Sequence, residues 1–173
     1  MADQYRSRPQ YNGSMASREN PRGTAQGAPE PSLDKLWPGY LAGGYFDSAG
    51  NLKPEHVERD RILPLLKAMD EARPRLTMHQ ARRFFQHCRG IEARLRSKAS
   101  TWAAEEAAFR KLDVAAADAF GKKDSKIPRI FHDFIKKNVS AVRTEKSFLQ
   151  GFLPHFEALI GFGAGVLRER ERS

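Results

Sequence analysis

The chain has 173 residues, 40% of them hydrophobic, with 30 Lys/Arg against 21 Asp/Glu and a formal charge of +9. That length suffices to bury an apolar core, and a single cysteine excludes a disulfide framework. No segment approaches the roughly 18 apolar residues that would span a bilayer, and the first thirty residues contain no apolar leader, so an intracellular protein is expected.

The charge is concentrated. Residues 73–143 hold 17 Lys/Arg against 7 Asp/Glu, while each of the remaining stretches, 1–32, 33–72 and 144–173, stays within two charges of neutrality. A localised positive surface follows, for which nucleic acid is the natural counterpart and an acidic protein the alternative. An anionic membrane fits less well, because the basic helices carry their apolar residues on stripes that a globular core would consume.

Residues 1–32 are rich in Pro, Gly, Ser, Asn, Gln and Arg and poor in aliphatic side chains. They are expected to form a disordered basic and polar tail, since they cannot bury enough surface to offset the entropy of ordering. Residues 33–173 are expected to form one helical domain. It opens on Leu33, Leu36, Trp37, Tyr40, Leu41, Tyr45 and Phe46. Gly43-Gly44 and Asp47–Asn51 are turn signals, and Pro54 suits the first turn of a short helix. The Asp47–Asn51 loop lacks the alternating acids and closing Glu of a calcium loop, so no metal is expected there.

Ile62, Leu65, Leu66 and Met69 predict a helix over about 60–72, with Asp60 as N-cap and Pro64 at the edge of the first turn. Thr77 to Lys98 predicts the next, opened by a capping box of Thr77 and Gln80. Wound at about 100° per residue it divides in two, with Phe84, Cys88, Ile91 and Leu95 on a core stripe and Arg82, Gln86, Arg89 and Arg96 opposite. Cys88 is read as a small buried hydrophobe. A third helix, from Thr101 to near Gly121, turns Trp102, Phe109, Leu112, Ala116, Ala119 and Phe120 inward. A fourth, after Ser125, does so with Ile127, Ile130, Phe131, Phe134 and Ile135. A fifth starts at Thr144 with Phe148, Leu149, Phe152, Phe156, Leu159 and Ile160, and Pro154 should kink or shorten it. No segment alternates like a strand, so the class is all-α, a compact bundle of about five helices.

Little points to catalysis. His56, His79, His87, His132 and His155 lack a zinc-ligand spacing, and Gly161–Gly165 follows a helix rather than a strand, so close packing or fraying explains it better than a nucleotide loop. No catalytic, cofactor or metal site is assigned, and the protein is not expected to be an enzyme. The arginine row and a second cluster, Lys122, Lys123, Lys126 and Arg129 between the third and fourth helices, form the candidate site. Arginine grips phosphate oxygens in a planar fork and lysine adds point charge. With the aromatics committed to apolar stripes, backbone contact without sequence preference is the expected mode, weakening steeply with salt.

Three blocks carry a resemblance beyond these patterns. They are Gly44-Tyr45-Phe46-Asp47 with Gly50–Pro54, Thr77 through Gln80, Arg82-Arg83-Phe84 and Arg89 to Ile91-Glu92, and Thr144–Phe148 leading to Phe156–Leu159. In order and spacing the chain resembles the small subunit of the Csm effector complex of type III-A CRISPR systems. The resemblance implies a five-helix cytoplasmic protein of a prokaryote that self-associates in stacked copies inside a ribonucleoprotein filament. There it would touch the backbones of guide RNA and target RNA while other Csm subunits do the cutting and signalling. It also implies a backbone-binding role for Arg82, Arg83 and Arg89, and a basic position at Lys122.

Overall fold

Every long periodic run in the chain folds as helix. The structure is a computed structural model that describes residues 31–169. Among these residues six α-helices follow one another: α1 (Leu33–Leu36), α2 (Arg59–Glu71), α3 (Met78–Arg96), α4 (Trp102–Gly121), α5 (Arg129–Ala141) and α6 (Leu153–Gly163). A 3₁₀ turn at Pro54–His56 precedes α2, and a π-helical stretch at Ser147–Phe152 runs into α6. The described residues contain no strand beyond an isolated bridge between Phe46 and Leu52. The predicted tail lies outside the described residues except for Pro31 and Ser32, and Ser32 caps α1 by accepting from the Lys35 N–H.

The five predicted helices correspond to α2 through α6, with α1 as an added single turn. Three local expectations are corrected. The cap position of α2 is Glu58, which makes no side-chain cap, and Asp60 stands inside the first turn, where its charge meets the positive end of the helix dipole. Pro64 consequently falls in the second turn. It leaves the Asp60 carbonyl without its i+4 donor, a loss tolerated because Pro64 is exposed to water. In α3 the core position belongs to Phe85, in register with buried Ala81 and Cys88, while Phe84 is half-buried and set edge-on against Phe131 at 5.2 Å. Burial pushes the Cys88 thiol pKa up, as its apolar assignment requires.

The core is aromatic at its centre. Phe109, Phe148, Phe152 and Phe156 are fully buried, with ring centroids 5.2–5.5 Å apart from Phe148 through Phe109 and Phe152 to Phe156. Pro154 is the second residue of α6, where the π-helical stretch gives way to regular α-helix, so it marks a change of helix type rather than a shortened end. The π-helical stretch brings Gly151 against the Tyr45 ring so closely that a Cβ there would lie 2.7 Å from Tyr45 Cγ. Gly163 is close-packed too, since a Cβ on it would stand 3.2 Å from Met78 Cε.

The segment before α2 is docked by a buried relay. Tyr45 OH donates to Asn138 Oδ1 at 2.7 Å, and Asn138 Nδ2 donates to Tyr40 OH at 2.6 Å. Tyr40 OH donates to His155 Nε2 at 2.6 Å, and His155 Nδ1–H donates to the His56 carbonyl at 2.5 Å. The His56 carbonyl can only accept, which makes His155 the neutral Nδ1–H tautomer with Nε2 accepting from Tyr40. Burial drives its pKa down to about 3, and burial lowers that of His56 as well.

Two measurements follow. Gly151→Ala, forced against a buried ring, should cost about 1–3 kcal/mol in urea unfolding, and an unchanged midpoint would show that the π-helical stretch has room to shift. The unfolded chain takes up the His155 proton near its ordinary pKa of 6.5 and the folded chain only near 3, so stability is full above pH 6.5 and falls as pH drops below it. Between pH 8 and pH 5 this amounts to about 2 kcal/mol, the share of the slope that His155→Gln should remove while that of His56 stays.

Candidate nucleic-acid interface

The capping box that opens α3 is complete: the Gln80 N–H donates to Thr77 Oγ1 at 3.2 Å, and the Thr77 N–H donates to Gln80 Oε1 at 2.8 Å. Gln80 also donates through Nε2 to the Lys126 carbonyl at 2.6 Å, tying the loop after α4 to the start of α3. At the other end of the pair, Arg94 makes a two-pronged bond to Glu105, Nε to Oε1 at 2.8 Å and an amino group to Oε2 at 2.7 Å. The Arg94 guanidinium holds the Glu105 carboxyl down at about 2. Fastened at both ends, α3 and α4 run antiparallel as a stiff pair.

The eight predicted cations all project from the surface, yet they are not equivalent. Glu92, almost wholly buried, accepts from Arg89 at 2.5 Å and from Arg96 at 2.7 Å, one turn to either side. Arg82 pairs with Glu169 at 3.1 Å, Lys122 with Asp118 at 2.7 Å, and Arg129 with Asp133 at 3.8 Å. Carboxylates one turn away on the same helix, or brought in from the C-terminal segment, therefore reach five of the eight. Those five side chains remain 48–69% exposed, so the pairs are screened and weak enough to re-form around a phosphate. Arg83, Lys123 and Lys126 are exposed and make no ion pair among the described residues.

Arg83, Lys122 and Lys126 converge on one groove between α3 and α4, of about 590 Å³. Lys111 of α4 joins them, a cation that sequence reading missed. Its signal is that position 111 lies one residue before core-facing Leu112, hence on the flank toward α3. Arg89 and Arg96 lie farther along α3 around Glu92, and Arg82 faces the C-terminal segment. That segment covers the first turn of α3, where the Met78 N–H donates to the Arg168 carbonyl at 2.7 Å and the His79 N–H to the Glu169 carbonyl at 3.4 Å.

A protein-family model described as Csm2 Type III-A matches residues 67–163, from within α2 to the end of α6. The chain belongs to this family. The matched span contains all eight predicted cations and the groove, and membership makes the chain a subunit of the type III-A Csm complex. The Gly44–Pro54 block lies outside it. No curated protein and no solved structure matches the chain. In this Csm2 chain no described helix is long and apolar enough to cross a membrane.

Arg94→Ala should lower the urea-unfolding midpoint, since it takes from the Glu105 carboxylate its two-pronged partner and leaves it Ser100, and Glu105→Ala should lower it less because an exposed guanidinium keeps its water. Equal losses would contradict this ordering.

Proposed function

We propose that this Csm2 chain is a non-catalytic RNA-backbone-binding subunit of the interference complex. It contacts guide RNA and target RNA without reading sequence and stacks in multiple copies along the cytoplasmic filament, needing no cofactor. The observation that carries the reading is the convergence of Arg83, Lys111, Lys122 and Lys126 around one groove with Asp118 as the only acid lining it. Polyanion binding follows from such a cluster by release of counterions. The paired arginines contribute as well, but each must first leave a carboxylate, so their share is smaller.

The order of effects is the test. Arg83→Ala with Lys126→Ala should lower affinity for single-stranded RNA and reduce the log–log salt slope by about 1.4, at about 0.7 per lost phosphate contact. Arg82→Ala with Arg89→Ala should reduce both less. RNA titrations at several salt concentrations measure this, and slopes unchanged in both double variants would refute the site.

A further inference from the structure

A row of surface cations is enough to hold a phosphate chain, and it needs no cavity. The α3–α4 groove has one, with an apolar floor. We propose that this groove is a pocket for a single unstacked nucleobase of single-stranded or bulged RNA, whose flanking phosphates rest on Arg83, Lys111 and Lys126. The proposal rests on the RNA reading above and adds to it a preference for RNA whose bases are free to leave the stack.

Four features support it. The groove volume, about 590 Å³, lies in the range of small-ligand sites and suits one nucleotide. Its lining combines Phe84, Leu112, Ala115 and Ile127 with the cations, the pairing of oily and charged surface that a base joined to a phosphate presents. Its walls are held before any ligand arrives. Phe84 is braced edge-on against Phe131, His87 Nε2–H donates to the Ala108 carbonyl at 2.8 Å, and Gln80 holds the backbone of Lys126. Finally, Arg83, Lys111 and Lys126 make no ion pair among the described residues, so an incoming phosphate displaces no carboxylate from them. Lys111 and Lys122 bracket the floor about 16 Å apart along α4, at 1.5 Å per residue.

The test compares two 12-mers on the full chain, one of oligouridine and one with the same backbone and abasic sites, each titrated by fluorescence anisotropy over a salt series. The uridine oligomer should bind about tenfold tighter, the low end of what one stacked base contributes, with the same salt slope as the abasic one. Ala115→Phe fills the floor without altering charge and should bring the two affinities together. The wild-type comparison stands whether or not that variant folds. Equal wild-type affinities with a normal salt slope would overturn the base pocket and leave backbone binding intact. No salt-dependent binding of either oligomer would overturn both. If Ala115→Phe kept the tenfold preference but no longer assembled with other Csm subunits, the groove would be a protein contact and the proposal would fall.

Discussion

The rest of the structure depends on the two-sidedness of α3. Ala81, Cys88 and Ile91 are sealed completely, and a charged group on their side would lose its water for nothing in return. The arginines of this helix are thereby confined to the opposite arc. Glu92 marks the boundary between the regimes: it is nearly buried, and two guanidiniums reach over it to supply the hydrogen bonds that water cannot. An apolar stripe therefore does more than build the core, because it determines where positive charge meets the outside.

The cationic face needs a rigid base, and polar groups inside the protein help to provide it. The path from Tyr45 through Asn138 and Tyr40 to His155 joins the segment before α2 to α5 and α6, and each bond on it has a defined donor and acceptor. Apolar packing tolerates small slippage between helices, whereas a chain of buried hydrogen bonds with defined donors and acceptors permits one register. Gln80 does a similar service at the surface, closing the capping box with its oxygen and holding the Lys126 loop with its nitrogen. One side chain thus couples the start of the arginine helix to the loop that carries the lysines.

Counting basic residues overstates the charge available to a polyanion. Arg89 and Arg96 share one carboxylate, so together with Glu92 they present a single net positive charge, and Arg82 depends on where the C-terminal segment lies. Arg83 and Lys126, ordinary members of their clusters in sequence, become distinctive because no carboxylate among the described residues pairs with them. The groove follows the same logic: its apolar lining comes from α3, α4 and Ile127 in the loop between α4 and α5, and its rim comes from three separate stretches of chain.

The sequence by itself determined the all-α class, the five long helices, the capping box at Thr77 and Gln80 and the outward direction of the arginines, because each depends on residues within one or two turns of each other. Its local errors, Asp60 as cap and Phe84 in place of Phe85, are shifts of one or two positions where neighbouring residues offer similar chemistry. The tertiary structure alone decided the bond from Gln80 to residue 126, the pairing of Arg82 with Glu169, and the arrival of Lys111 beside Arg83. These join points 28 to 87 residues apart in the chain, a separation that helical periodicity does not encode and that only the packing of one helix on another can close.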